Sequence, residues 1–188
     1  AWGSKQYGIA PYFVNTIIAC VGTLLILLPV GAMAAYVFAK YPFRGSKLLF
    51  TTFLGGMMFP NFLVIVPLYL LLKSIPFMDQ PQGLTGTLPG LILVYVAYSL
   101  SFTIFVLTGF FQSTPNELAE AAMLDGCGHL ATFGKVMLPL VKPGIVVVGI
   151  FNAIGLWNEF SLALVLFNQG EKRTLALAIQ DMATAQQY

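Results

Sequence analysis

The chain has 188 residues, of which 58% are hydrophobic and only 9% are charged. Soluble globular domains carry about 25% charged residues, so this composition excludes an ordinary soluble domain. The formal net charge is only +2, which argues against nucleic-acid binding because too few cations are in excess to neutralise phosphates.

Four charge-free stretches predict the fold class. They are residues 6–39, 48–72, 80–116 and 143–158. A hydrocarbon core about 30 Å thick needs about 20 helical residues, so the chain is predicted to be an all-α, polytopic helical bundle in a lipid bilayer. The most apolar windows predict spans at about 14–39, 48–72, 88–111 and 143–167. Prolines inside these spans predict kinks, namely at Pro29, Pro60 and Pro67.

The connector between the first two spans sets the predicted topology. Residues 40–47 contain Lys40, Arg44 and Lys47, and short loops rich in Lys and Arg stay in the cytoplasm. The N-terminus is therefore predicted outside the cell. Alternation of the spans then predicts residues 73–87 and 168–188 outside, and the long polar loop 112–142 inside.

The loop 112–142 is predicted to begin with a short helix. Thr114 would be the N-cap, Pro115 the first helical residue, and Glu117 the partner that completes a capping box. Gly126 would end this helix, with a positive φ that glycine adopts without a Cβ penalty. A second helix is predicted from about His129 to Leu138. An amphipathic helix lying on lipid headgroups fits the composition of this loop as well.

A spaced motif lies in this loop. The string Glu120-Ala121-Ala122-Met123-Leu124-Asp125-Gly126 is followed, after nine residues, by Val136-Met137-Leu138-Pro139. It resembles the EAA loop of permease subunits of binding-protein-dependent ABC importers, whose signature is E-A-A, three residues, G, nine residues, I-x-L-P. Val136 replaces the isoleucine. Residues 115–118, 138–143 and 157–160 resemble the carbohydrate-uptake branch of this family, as in maltose-type permeases.

The resemblance covers about residues 12–180 and implies one ABC importer transmembrane domain over residues 12–188, with the family's final span missing from the chain. It implies a multi-pass subunit of the bacterial inner membrane that imports a small molecule, a sugar or oligosaccharide, although another small nutrient stays open. The implied partners are ATP-binding subunits, a second permease subunit and an extracytoplasmic solute-binding protein. The loop would seat in a groove of the ATPase through Glu117, Glu120, Ala121, Ala122, Asp125, Gly126, Leu138 and Pro139.

The chain itself is predicted to carry no catalytic residue, metal or cofactor. Residues 128–136 approach a Walker A loop but have one residue too many between the glycines and end in Val136 instead of Ser or Thr. His129 has no Cys or second His at metal-ligand spacing, and no Ser/His/Asp constellation is present. ATP and Mg are therefore expected on the partner ATPase, and the chain is expected to be a transport subunit, not an enzyme.

Polar side chains at membrane depth give candidates for the substrate path, because such groups usually face a cavity or the interior of a bundle. Glu159 is the only acidic residue in a predicted span, and Asn152 lies seven residues earlier, which predicts a shared helix face. A role in helix packing or interface anchoring stays open for the whole set. The candidates are Asn61, Asn152, Trp157, Asn158 and Glu159.

Two other functions compete with the importer. A self-sufficient secondary transporter or channel would place ionisable pairs within its spans, but Glu159 has no evident cationic partner. A membrane scaffold gives no reason for the spaced motif. The sequence therefore favours the importer.

Overall fold

The computed structural model describes residues 10–77, 83–167, 174–177 and 179. The elements within these ranges are helices, which confirms the all-α prediction. A π-helical turn, Phe133–Met137, lies between α6 and α7. The helices are α1 (Ala10–Lys40), α2 (Ser46–Met57), α3 (Asn61–Ser74), α4 (Leu88–Ser113), α5 (Asn116–Leu124), α6 (His129–Thr132), α7 (Leu138–Leu140), α8 (Lys142–Trp157) and α9 (Ser161–Leu166).

Within the described residues, α1 and α4 are each long and apolar enough to cross a membrane. They have 31 and 26 residues, and 20 residues already span about 30 Å. Two bent pairs, α2 with α3 and His129–Leu140 with α8, raise the number of such segments to four if each pair is one span. The protein is therefore a membrane protein built from long and broken apolar helices.

The helix breaks do not occur at every proline. Pro29 lies inside α1 and Pro67 inside α3, and both helices continue past them. Pro60 instead precedes α3 with an extended backbone (φ −64°, ψ 131°), so the predicted span 48–72 consists of two helices. The predicted span 143–167 is likewise divided, because α8 ends at Trp157 and α9 begins at Ser161.

Two compact units make up the chain, and the first combines Ala1–Thr23, Phe59–Tyr95 and Ala153–Tyr188. Its described part contains the start of α1, all of α3 and α9, the start of α4 and the end of α8. Residues 78–82 and most of 168–188, which belong to predicted outer segments, lie outside the described ranges. Its core consists of apolar side chains from each of these helices, among them Cys20, Ile65, Leu91, Tyr95, Leu156, Leu162 and Phe167.

The second unit combines Leu24–Met58 and Val96–Asn152. It contains the larger parts of α1, α4 and α8, all of α2, and the whole polar loop that follows α4. Phe111 at the end of α4 and Met137 in the loop are each 0% exposed and share one core. Removing a side chain of this size from water is worth about 1.5–3 kcal/mol, so this core anchors the loop to the ends of the long helices.

Candidate functional site

The loop helix α5 begins without the predicted capping box. It starts at Asn116, its N-cap is Pro115 with an extended backbone, and no side chain caps it. The Thr114 hydroxyl donates instead to the carbonyl of Phe110 in the last turn of α4, at 3.2 Å. The predictions of Thr114 as N-cap and of Pro115 as the first helical residue are therefore wrong, because the Thr114 hydroxyl is used by the preceding helix and Pro115 itself keeps a non-helical ψ of 140°.

The two sides of α5 differ in burial. Ala119 and Ala122 are 6% and 7% exposed, and Ala119 belongs to the core of the second unit. Ala121 is exposed, and Leu124 is 88% exposed. Ala121 therefore lies on the side that a partner can reach, whereas Ala122, which the motif also assigns to ATPase contact, packs within this chain.

The acidic side chains that the motif assigns to coupling are solvent-exposed. Glu117 and Glu120 lie on α5, and Asp125 follows it as the C-cap. The exposed surface of α5 thus combines these carboxylates with the small side chain of Ala121 and with exposed large apolar side chains, of which Leu124 is the most exposed.

The end of α5 is a Schellman motif, in which the last carbonyls of a helix are satisfied by a 6→1 and a 5→2 bond. The Cys127 N–H donates to the Ala122 carbonyl and the Gly126 N–H to the Met123 carbonyl, each at 3.0 Å. Gly126 has φ +86°, which confirms the predicted positive φ. The direction of the chain after α5 therefore depends on a backbone conformation that L-residues rarely adopt.

The second half of the loop is a distorted helix. It starts at His129, contains a π-helical turn in which the N–H of Leu138 bonds to the carbonyl of Phe133, and ends at Leu140. It therefore runs two residues beyond the predicted end, and Pro139 lies in α7, just after the π-helical turn. Leu138 packs against the core of the second unit, and Pro139 is exposed.

Two residues at the end of α1 contact this loop, and sequence reasoning missed them as site residues. The Lys40 ammonium donates to the Thr114 carbonyl at 2.5 Å and to the Asn116 side-chain oxygen at 2.6 Å. The Tyr41 hydroxyl and His129 Nδ1 share a hydrogen bond of 2.8 Å. The sequence presents Lys40 only as a cation of the topology-determining connector, and it carries no signal for a contact 74 residues away.

Glu159 is engaged by protein groups. Its carboxylate accepts hydrogen bonds from the Tyr95 hydroxyl at 3.1 Å and from the backbone N–H groups of Leu162 at 2.9 Å and Ala163 at 3.2 Å. The N–H groups at the start of a helix have no partner within the helix. Glu159 therefore supplies acceptors for α9 and links it to α4 within the first unit.

The prediction that Asn152 and Glu159 share a helix face is wrong, because α8 ends at Trp157. A 3.6-residue period does not continue across a break in the helix. Asn152 belongs to the second unit, where its side-chain N–H group donates to the Thr103 hydroxyl at 3.1 Å and to the Val148 carbonyl at 2.9 Å.

The remaining path candidates lie at or near helix breaks. Trp157 is 39% exposed and meets Phe13 edge-on, with ring centroids 5.5 Å apart. Asn158 is exposed and donates to the Ile154 carbonyl. Asn61 is the first residue of α3. Among the described residues, no three His, Cys, Asp or Glu side chains come together in a group that could hold a metal ion.

Residues 27–188 match the family described as the binding-protein-dependent transport system inner membrane component. The chain belongs to this family. Membership confirms the predicted family, and it agrees with the long apolar helices of a protein located in the inner membrane.

Two permease proteins for sugar uptake are similar to this family member. The diacetylchitobiose uptake system permease protein NgcG of Streptomyces coelicolor is 43% identical over 188 residues, which cover 100% of this chain and 59% of that protein. The trehalose transport system permease protein SugB of Mycobacterium tuberculosis is 36% identical over 166 residues, covering 88% of this chain and 58% of that protein. The chain therefore spans less than two thirds of the length of either relative.

A solved structure shares the fold. The crystal structure of a bacterial ABC transporter involved in the import of the acidic polysaccharide alginate matches 96% of this chain and 59% of its own, with a TM-score of 0.75 and 23% sequence identity. At this sequence identity, the match establishes only that the two proteins share a fold.

Proposed function

We propose that this chain is part of the permease subunit of an ATP-driven ABC importer for a sugar or oligosaccharide, and that the loop 112–142 docks on a cytoplasmic ATPase. The observation that carries the proposal is the outward side of α5. In a family of transport-system membrane components, this side presents Ala121 and Leu124 together with carboxylates, while the opposite side is buried in the chain's own core.

Exposed leucines support the docking role. Leu124 is 88% exposed and Leu130, in α6, is 82% exposed, although they lie in a polar loop. Large apolar side chains at interfaces usually fill a pocket of the partner. The carboxylates of Glu117, Glu120 and Asp125 favour a partner groove that carries positive charge.

The transport step follows from this arrangement. ATP and Mg bind to the partner ATPase, whose closure displaces the docked helix α5. Since α5 shares a core with α1 and α4 through Ala119, Tyr36 and Phe111, its displacement is passed to the long helices. A second permease subunit completes the pathway, and an extracytoplasmic solute-binding protein delivers the substrate.

A carbohydrate substrate is supported by relatives named for diacetylchitobiose uptake and trehalose transport. Of the path candidates, Trp157 and Asn158 retain exposed surface at the break after α8. An indole ring stacks on a sugar face and an amide bonds to hydroxyl groups. Asn152 and Glu159 fit a structural role better, because both are already hydrogen-bonded within the protein.

The test uses the full-length protein. The permease is expressed with the candidate ATPase, second permease and solute-binding protein, purified, and reconstituted in vesicles. We expect the ATPase to co-purify and uptake of a radiolabelled di- or oligosaccharide to require ATP. Uptake driven by an ion gradient, with no ATPase recovered, would instead establish the secondary-transporter alternative.

A further inference from the structure

We propose that Lys40 and Tyr41 form a two-point clamp that makes the docking loop move with α1. The inference rests on the proposed function and deepens it by naming positioning residues for coupling. Lys40 is the last residue of α1, and Tyr41 follows it. Together they contact residues at the two ends of the outward-facing helix α5: one at its start and one after its C-terminal turn.

Lys40 holds the entry to α5. Its ammonium donates to the Thr114 carbonyl, which follows the end of α4, and to the Asn116 side-chain oxygen at 2.6 Å, which belongs to the first residue of α5. Hydrogen bonds from a charged donor are shorter and about twice as strong as neutral ones. A positive charge near the C-terminal end of α4 is also favoured by the helix dipole. One side chain of α1 thus fixes the turn from α4 into α5.

Tyr41 contacts the docking loop at His129, where the second half of the loop begins. Its backbone N–H donates to the Val37 carbonyl at 3.0 Å, which continues the hydrogen-bond ladder of α1 and attaches Tyr41 rigidly to that helix. Its hydroxyl is hydrogen-bonded to His129, the first residue of α6, and the two rings meet edge-on with centroids 5.6 Å apart. The Tyr41 link therefore follows the Schellman turn at Gly126.

The packing around the second contact is open. A cavity of about 390 Å³ adjoins Tyr41 and His129 and is lined by apolar side chains of α1 and α6, including Met33 and Leu130. Leu130 is 82% exposed and adds little packing at this point, while Phe133, which directly follows α6, contacts Tyr36 of α1 with ring centroids 5.1 Å apart. The hydrogen bond is therefore a discrete link that a single substitution can remove.

The clamp has a mechanical consequence. The contacts at Asn116 and His129 lie on either side of residues 117–128, which include most of α5 and its Schellman turn. A displacement of the end of α1 is therefore transmitted to both ends of the docking helix at once. Without the clamp, the shared core still holds α5 in place, but the loop gains freedom to move independently of α1.

The test compares Lys40→Met with Lys40→Arg and with Lys47→Met, an identical charge change at an exposed site of the same connector. In vesicles that contain the complete importer, Lys40→Met is expected to lower the uptake per ATP hydrolysed by about fivefold, because a charged hydrogen bond is lost. ATPase recovery is expected to stay within about twofold of wild type, since the docking side is unchanged. Lys40→Arg should restore at least half of the coupling, and Lys47→Met should match wild type.

A second readout needs no ATPase. The Cys127 thiol, which is half-buried beside the end of α5, is alkylated in the full-length permease alone, and Lys40→Met is expected to raise its rate several-fold. Tyr41→Phe, which keeps the ring and removes only the hydroxyl, should raise the rate less. Wild-type coupling and alkylation in Lys40→Met, or equal effects of Lys47→Met, would overturn the clamp. Absence of an ATPase from the wild-type preparation would contradict the proposed function, while the alkylation rates would still decide the clamp.

Discussion

Substituting Gly126 tests the docking loop most directly. Gly126 has φ +86°, and a Cβ atom added there meets no atom within 4 Å. Any cost of substitution is therefore a backbone cost, without a steric clash against neighbouring residues. A left-handed conformation costs an L-residue about 1–2 kcal/mol, and a β-branched side chain such as valine lies at the upper end of that range or beyond it.

The expected effect on ATPase binding follows from this magnitude. Because 1.4 kcal/mol corresponds to tenfold in an equilibrium constant, Gly126→Val should weaken ATPase binding by about tenfold or more. Gly126→Ala should have a smaller effect. Gly126→Asn should have the least, because asparagine tolerates positive φ best among residues with a Cβ atom. The order expected for the dissociation constants is Val, Ala, Asn, then wild type.

Gly128 provides the matched control two residues away. It has φ −71° and ψ 165°, a conformation open to any residue, and a Cβ atom there also meets nothing within 4 Å. ATPase is titrated onto full-length permease in lipid nanodiscs, and substrate-stimulated hydrolysis is measured on the same samples. Gly128→Ala should bind as wild type does. The reasoning is refuted if Gly126→Val binds within twofold of wild type, or if Gly128→Ala is as impaired as Gly126→Ala.

Further predictions concern the two sides of α5, the acidic residue before α9 and the topology. Ala121→Leu should reduce ATPase recovery at normal permease yield. Ala122→Leu should instead reduce the permease yield itself, because overpacking a buried position costs about 1–3 kcal/mol. Identical phenotypes of the two variants would contradict the assignment of Ala121 to the exposed face and Ala122 to the buried face. Glu159→Ala should destabilise the complex by about 1–3 kcal/mol through unpaired donors, and Glu159→Gln by less. Thermal unfolding and uptake are measured together, and normal stability with lost uptake would assign the residue to the substrate path instead. An impermeant thiol reagent should label Cys127 only from the cytoplasmic face and react slowly with the buried Cys20; labelling of Cys127 in intact cells would invert the topology.

Properties that depend on residues close together in the sequence could be predicted from the sequence alone. Long charge-free stretches indicated the membrane helices, since each residue's transfer into lipid is nearly independent of the rest of the fold. The spaced motif indicated the family, which is confirmed over residues 27–188. The positive φ of Gly126 could also be predicted, because a helix end followed by glycine is a local steric pattern.

Contacts between distant segments were decided by the tertiary structure. The sequence places Ala121 and Ala122 side by side in the motif, and only the tertiary structure, in which α5 packs against the π-helical turn and α6, shows that one is exposed and the other buried. The hydrogen bonds of Lys40 join groups more than 70 residues apart. The carboxylate of Glu159 accepts a hydrogen bond from Tyr95, 64 residues earlier in the chain. A side chain's own chemistry fixes which partners it needs, but the packed helices fix which partner is within reach, and that depends on the whole chain at once.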